Sequence, residues 1–392
     1  MNGIPDDWAL PYCPAAPEWA LDWKGLLERF RWLRAMEGVP QDPVHHAEGD
    51  VLIHTRMVVE ALIAHPSWRA LPPAERSLLF AAALLHDVAK PATTRVDTEG
   101  HITALGHARQ GERMARTALW SEDFGAPVPF ACREAIARLV RFHGLPLWFL
   151  GKPSPERAVI EASLTARNDL LALLAEADAR GRYCADQEEL LLRLDLYREM
   201  ATELDCLTAP RRFPSDQARF VYFRTETPDL HYVPYDDTTF EVVMLSGLPG
   251  VGKDTWIRRN LEALPVVSLD TLRRTMGVSP EEAQGSVVNA AKEQARVYLR
   301  EKRSFVWNAT NVTRQTRKPL IDLFAAYHAR IRLIYLDAPL EVILRQDSQR
   351  PRPVTEAVIR RLMQKVEVPD ATEAHRVELY SAGSSFFYTN GT

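Results

Sequence analysis

The chain has 392 residues, 46% hydrophobic and 26% charged, with a formal net charge of −4. That length exceeds one ordinary compact core and suits about two domains, and no run of ~18 uncharged apolar residues is present to span a membrane. Cys13, Cys132, Cys184 and Cys206 are scattered without a CxxC pair, which argues against a disulfide framework or a thiolate zinc site and for a reducing, cytoplasmic setting. Residues 1–8 are polar and acidic, without the apolar segment of a secretory signal. The small negative charge does not exclude nucleic acid, because an acidic protein can carry a local basic face.

In residues 8–36, Trp8, Trp19, Trp23 and Trp32 accompany Leu26, Leu27, Phe30 and Leu33 at helical spacing. This predicts an amphipathic helix whose aromatics pack on the domain behind it. From Asp50 to about Ala209, apolar residues recur near i, i+3, i+4 over 51–62, 73–86, 106–119, 133–142, 158–178 and 186–207. Pro72, Pro73, Pro127 and Pro129 punctuate them. An all-α domain over 1–209 is expected. Residues 210–239, with Pro210, Pro214, Pro228 and Pro234, read as a linker with a short strand at 219–223. In 240–392, short apolar runs at 241–246, 266–269, 305–307 and 331–336 alternate with helical stretches, which predicts an α/β domain with a parallel sheet.

The helical half carries His54, the adjacent His86-Asp87 closing an apolar run, then Lys90, His107, His143 and Asp178. Imidazole and carboxylate groups are ligands for Zn²⁺, Mn²⁺, Fe²⁺, Co²⁺ or Ni²⁺. A single helical histidine is usually a packing residue, but an ordered H…HD…H…H…D set is not, and His86-Asp87 is costly to bury without a partner or a metal. Together with Glu48-Gly-Asp-Val-Leu-Ile-His54-Thr, Leu-Leu-His86-Asp87-Val-Ala-Lys90-Pro and Gly106-His107, the set resembles the HD phosphohydrolase superfamily, most closely the HD domain of bacterial CCA-adding enzymes. The resemblance implies His54, His86, Asp87 and Asp178 as metal ligands, with Asp169 as the alternative for the last. It implies His107 and His143 on a second metal or the scissile phosphate, and Lys90 neutralising phosphate charge. The implied chemistry is attack of activated water on the phosphorus of a 2′-phosphate or 2′,3′-cyclic phosphate.

In the second half, Gly247-Leu-Pro-Gly250-Val-Gly252-Lys253-Asp254-Thr255 follows an apolar run and fits GxxxxGK. Glycines let successive N–H groups face a phosphate, the following helix adds its positive end, and Lys253 reaches the β/γ oxygens. Ser or Thr normally follows the lysine and ligates Mg²⁺. Here Asp254 does, so either Asp254 approaches the metal or Thr255 takes the phosphate contact. Asp270 ends the next apolar run, where a general base for an attacking hydroxyl would sit; as N-cap of a helix starting near Thr271 it would be equally natural. Asn308, Thr310 and Asn311, then Arg314 and Arg317, follow the third run, a usual place for metal and substrate contacts. Arg345, Arg350 and Arg352, with Pro351 and Pro353, form an Arg-rich segment that reads as a lid.

Gly-Leu-Pro-Gly-Val-Gly-Lys at 247–253, Leu-Asp-Thr-Leu-Arg-Arg at 269–274, Ala-Thr-Asn at 309–311 and the run 344–353 resemble the polynucleotide kinase group of P-loop phosphotransferases. The resemblance implies Asp270 as general base, Arg273 at the substrate's terminal phosphate region, and Arg350 on the donor phosphates beside Arg345. It implies ATP or another NTP with Mg²⁺ or Mn²⁺. That group often has Asp where this chain has Ala309 or Asn308. Over nearly the full chain, the combination resembles the bacterial HD–polynucleotide kinase fusion family of RNA end-healing enzymes. The expected partners are RNA or DNA ends, an NTP and an RNA ligase acting next in sequence, without a membrane. Two alternatives stay open: an HD nucleotidase joined to a small-molecule (nucleoside) kinase, and a nucleotide-sensing HD module that regulates the kinase.

Overall fold

The structure, a computed structural model, describes residues 4–121, 124, 128–278, 285–350 and 352–381. Pro127 and Pro351, like residues 1–3, lie outside them. The chain divides into two compact units, 1–211 and 212–392. Among the described residues no helix is long and apolar enough to cross a membrane.

The first unit is helical: α1 Val51–Ala64, α2 Pro73–Leu85, α3 His107–Trp120, α4 Phe130–Phe142, α5 Pro155–Ser163, α6 Asn168–Arg180 and α7 Gln187–Glu203, with shorter turns between. Residues 77–85 of α2 are all buried, so this helix lies at the centre of the core and is apolar all round rather than on one stripe. The run 158–178 is two helices, not one. The buried Asn168 pins the break: its amide donates to Val159 O and Cys206 O, and Tyr197 Oη donates to its oxygen.

The expected N-terminal amphipathic helix is instead two short pieces, Trp23–Arg29 and Arg31–Arg34, parted by the extended backbone of Phe30 (φ −103°, ψ 106°). The split lets Leu26, Phe30, Leu33 and Met36 all reach the core, and the four tryptophans lean on it. Trp19 packs edge-on against Trp68, and Trp32 stacks on Phe30.

The second unit opens with α8 Asp216–Arg224, a helix where a strand was expected at 219–223. Ser215 caps it by accepting the Ala218 amide, and Arg219, Phe220 and Tyr222 turn inward. Arg219 donates to Ala371 O and His375 O, and Phe220 stacks on His375 at 3.9 Å, so the segment read as a linker is anchored to the unit it precedes.

Five strands follow, β1 Phe240–Ser246, β2 Val266–Ser268, β3 Phe305–Asn308, β4 Ala329–Asp337 and β5 Arg376–Ser381, in the parallel order β2-β3-β1-β4-β5. Val242 and Met244 face one cluster with α11 Gly285–Arg300 and α12 Arg314–Ala325, while Val243 and Leu245 face the other with Ile257 of α9 Lys253–Asn260. Both faces are thus covered, as a parallel sheet requires. Helix α10 Leu269–Thr275 follows β2, and α13 Leu340–Ser348 and α14 Glu356–Met363 separate β4 from β5. The edge strand β5 was not expected. Its apolar residues alternate with Arg376 and Glu378, and Glu378 is fully buried only because Arg332 and Arg376 meet it.

His375 ties α8 to the sheet. Its Nδ1 accepts the Ile331 amide at 3.0 Å, so Nε2 carries the proton and donates to Gln217 Oε1 at 2.8 Å. The bond from the Ile331 amide needs the neutral ring, and burial, helped by Arg330, pushes its pKa down to about 3. A histidine depressed in the folded state stabilises fully above its unfolded pKa of about 6.5 and loses that contribution as pH falls toward the folded value. Protection of the Ile331 amide should therefore fall by about 2 kcal/mol between pH 6.5 and 5 in amide exchange, and His375→Gln should flatten that slope. Equal slopes in both proteins would remove His375 as the cause.

Candidate functional sites

In the first unit the ends of helices aim the imidazoles. A helix leaves its last carbonyls without intrahelical partners. His86 and His143 follow directly on α2 and α4, and each Nδ1 sits on the carbonyl three residues back, Ala83 at 2.7 Å and Val140 at 2.8 Å. His107, at the start of α3, does the same with Ala104 at 2.8 Å. A carbonyl only accepts, so Nδ1 carries a proton in all three, and Nε2 is the atom left to meet a cation once it carries no proton. For His54 the partners are the Glu48 carboxylate at 2.8 Å and Gly181 O at 3.2 Å, again on Nδ1. Gly181 can stand there because it has no side chain: a Cβ would lie 2.6 Å from the Val58 backbone of α1.

The free atoms converge. His54 Nε2 lies 3.1 Å from Asp178 Oδ1 and 3.9 Å from Asp87 Oδ2, and His86 Nε2 lies 3.2 Å from Asp87 Oδ2. On the other side of Asp87, Oδ1 is 3.7 Å from His107 Nε2, which is 3.4 Å from His143 Nε2. Among the described residues two ligand triplets share this carboxylate, His54-His86-Asp87 and Asp87-His107-His143. His54 Nε2, His86 Nε2 and Asp87 Oδ1 are buried without a hydrogen-bond partner. Buried polar atoms are seldom left so, since each costs about 1–3 kcal/mol. A divalent cation fits them: the donors are imidazole nitrogen and carboxylate oxygen, with tautomers already set.

The charges are prepared for it. Burial alone would raise the Asp87 carboxyl, but Lys90 at 2.7 Å holds it well below the ordinary carboxylate range. Asp178 is likewise kept low against its burial by Arg182 one turn on. Burial, with His107 and His86 nearby, pushes His143 down to about 3, which leaves it neutral. Asp169 does not join the group; it pairs with Arg167 at the start of α6. Glu48 and Arg182 received no role in the sequence analysis. Spacing could have signalled Arg182, at i+4 from Asp178 on the same helix end, whereas Glu48 is recognised only from its place in space. Glu48 also accepts from His46 and from the Tyr183 amide, which closes the loop around His54.

In the second unit the site lies beyond the carboxyl ends of the strands. A cleft of about 2240 Å³ is lined by the loop 249–252, α9, α10 and residues from β3 and the segment after α13. Gly250 (φ 79°) and Gly252 (φ 98°) take left-handed conformations, and a Cβ on Gly250 would lie 2.7 Å from Ile343 O. No side chain caps α9, whose first residues line the cleft, so its first N–H groups are left for an anion there. Lys253 Nζ donates to Gly247 O and Leu248 O, both at 2.9 Å, and burial pushes its pKa down to about 8 against Asp270 and Asp254. The turn at 309–311 braces the loop: Gly247 N donates to Thr310 O, and Asn311 Nδ2 to Leu245 O.

Asp270 is not the N-cap of α10; Ser268 is, accepting from the Thr271 amide. The Asp270 carboxylate is left to the cleft, between Arg273 on one oxygen and Arg350 at 3.5 Å on the other. Arg350 is held by Asp347, whose second oxygen accepts the Val354 amide at 2.6 Å. Asp254, Thr255, Asn308, Arg273, Arg350 and Arg352 line the cleft. Gly247 does not line the cleft; its carbonyl accepts Lys253 Nζ. Arg345 is exposed and does not line the cleft; Gln346 stands there instead. Arg314 pairs with Asp370 and Thr372, and the fully buried Arg317 with Glu373, so both hold the fold rather than line the cleft. The contribution of Asp347, which holds Arg350 and the Val354 amide, was not foreseen.

Residues 51–178 match the HD domain family, and residues 242–369 match the AAA domain family. The multifunctional CCA protein of Aromatoleum aromaticum is 34% identical over 148 residues, 36% of this chain and 32% of that protein. The L-seryl-tRNA(Sec) kinase of Methanococcus maripaludis is 24% identical over 136 residues, 33% of this chain and 53% of that protein. The CC-adding tRNA nucleotidyltransferase of Thermus thermophilus is 34% identical over 140 residues, 36% of this chain and 28% of that protein. The chain thus spans between about a quarter and about half the length of these relatives. It joins an HD phosphohydrolase domain to a P-loop kinase domain. The first implies a divalent metal, for which the first unit offers the imidazole–carboxylate cluster, and the second implies a nucleotide with Mg²⁺.

Titration of the metal-free protein with Co²⁺ should give a visible absorption band, and Asp87→Ala, which removes the carboxylate common to both triplets, should weaken binding on the order of 100-fold or abolish it. Glu48→Gln keeps every direct donor and should cost about tenfold. A Co²⁺ affinity unchanged in Asp87→Ala would place the cation elsewhere.

Proposed function

We propose that this chain is a cytoplasmic RNA end-healing enzyme with two active sites: a 2′-phosphatase and 2′,3′-cyclic phosphodiesterase in residues 1–209, and a 5′-hydroxyl polynucleotide kinase in residues 240–392. The observation that carries it is the second-unit cleft. Its volume of about 2240 Å³ exceeds the 300–1,000 Å³ of an ordinary small-ligand site, leaving room for an acceptor strand beside the nucleotide. Its lining sets nine cationic side chains (Lys253, Arg258, Arg259, Arg273, Arg274, Lys292, Arg332, Arg350, Arg352) against the carboxylates of Asp254, Asp270 and Asp337. That excess suits a polyanion. Relatives whose names contain tRNA support RNA as the acceptor, and four free cysteines suit a reducing compartment.

In the kinase, Lys253, Arg350 and the N–H groups opening α9 bind the triphosphate of ATP or another NTP and draw charge from the γ-phosphoryl group. Asp270 accepts the proton of the attacking 5′-hydroxyl while its oxygen bonds to the γ-phosphorus and the bond to the β–γ bridging oxygen breaks. Arg273 steadies Asp270 and meets the acceptor's terminal phosphate region. In the HD domain His54, His86, Asp87 and Asp178 hold a transition metal, Mn²⁺, Co²⁺, Ni²⁺, Zn²⁺ or Fe²⁺. When bound, the cation activates water for attack on phosphorus. His107 and His143 take a second cation or the scissile phosphate, and Lys90 neutralises phosphate charge. The ends so produced, a 5′-phosphate and free 2′,3′-hydroxyls, are those an RNA ligase joins.

The test is end chemistry on oligonucleotides, with and without chelator. Label from the γ-phosphate of ATP should enter a 5′-hydroxyl RNA and not free nucleosides, and a 2′,3′-cyclic phosphate end should be opened and cleared. Lys253→Ala or Asp270→Ala should abolish labelling, a loss of at least about 10³-fold, and spare the phosphatase; His86→Ala or Asp87→Ala should do the reverse. Label confined to nucleosides would return a small-molecule kinase.

A further inference from the structure

In most P-loop enzymes the residue after the loop lysine is a hydroxyl and the strand beside the loop supplies a carboxylate, and Mg²⁺ lies between them. Here the residue after Lys253 is Asp254, and the end of β3, hydrogen-bonded beside the loop strand in the register Leu245–Asn308, supplies Asn308. The two side chains touch: Asn308 Nδ2 donates to Asp254 Oδ1 at 2.6 Å. A carboxylate accepts and never donates, so the atom facing it must be the amide nitrogen, and the amide oxygen is fixed on the other side. That oxygen is buried and has no hydrogen-bond partner, on a residue 7% exposed that lines the cleft. Mg²⁺ is taken by hard oxygens, typically one or two carboxylates together with substrate phosphates rather than a full protein cage. The pair offers one charged oxygen donor and one unclaimed neutral oxygen beside the phosphate loop.

Resting on the kinase reading above, we propose that the two metal-facing groups of this site have exchanged places: Asp254 on the helix supplies the anionic oxygen, and Asn308 on the strand supplies the neutral one while its amide nitrogen orients Asp254. The exchange leaves the charge of the pair at one negative, as in the usual hydroxyl–carboxylate arrangement.

The experiment measures Mn²⁺ bound to the full-length chain in the presence of ADP, by electron paramagnetic resonance, with ADP binding in EDTA as a separate titration. D254S should weaken Mn²⁺ binding on the order of tenfold or more without weakening ADP binding in EDTA, and D254S/N308D, which restores the common order of groups, should recover Mn²⁺ affinity to within about threefold of the unaltered chain. Mn²⁺ affinity unchanged in D254S, or no recovery in the double variant, overturns the exchange while leaving the kinase reading intact. Absence of any ADP binding by the unaltered chain overturns both.

Discussion

A helix leaves its first N–H groups and its last carbonyls without partners, and both candidate sites are built where those groups would otherwise go unmet. In the first unit, carbonyls at the ends of α2 and α4 take the Nδ1 protons of His86 and His143, which sets the tautomer and points each Nε2 inward. In the second, the uncapped amides that open α9 belong to residues that line the cleft behind the glycine loop. One site uses the unpaired carbonyls at helix ends to orient imidazoles toward a cation, and the other uses the amides that open a helix to receive an anion. In both, the groups at the helix ends are held by the backbone and so are positioned before any ligand arrives.

The distinction between a structural polar cluster and a functional one can be drawn within the first unit itself. Arg116 is fully buried, yet it is met by Glu112 and both oxygens of Glu134, and those carboxyls, raised by burial, are brought below their ordinary range by the surrounding arginines. No atom of that network is left over among the buried unpartnered ones, and it serves to bind α3 to α4. The cluster around Asp87 has the same burial but leaves His54 Nε2, His86 Nε2 and Asp87 Oδ1 unmet. Around Arg116 the charged atoms meet one another, whereas around Asp87 three donor atoms converge on one volume and are left for something else to meet.

Much of this was legible in the sequence because its signals are local. The glycine loop after an apolar run, the His-Asp pair closing an apolar helix and the alternation of strands with helices each depend on neighbours in the chain. What escaped depends on distance. The helix 216–224 was hidden by proline-rich flanks, and only contacts with Ala371 and His375 explain its inward Arg219. The edge strand 376–381 reads as polar because Glu378 is buried through Arg332, a residue 46 positions away in the chain. Arg345 was expected at the phosphates from its place in an Arg-rich run, but that run is partly helical, and one residue of rotation puts Gln346 in the cleft and Arg345 in solvent. Glu48 touches His54 through a loop closure onto Tyr183 that no spacing rule encodes.

Asp254 shows how far a motif can be read one position at a time. Taken alone, it breaks the phosphate-loop pattern, and Asn308 taken alone breaks the expectation of a carboxylate on the neighbouring strand. The register that sets Asn308 beside Leu245, together with a loop of seven residues from Gly247 to Lys253, brings the two side chains to hydrogen-bonding distance. Once they share one volume, the cleft's chemistry depends on the pair: one anionic oxygen, one neutral oxygen and a donor to hold them in place. Which strand or helix carries the charge is then indifferent to a cation lying between them, because Coulomb attraction depends on where the oxygen is and not on which backbone supplies it. Two departures that would each weaken the resemblance in isolation become one consistent arrangement when they are read across the sheet.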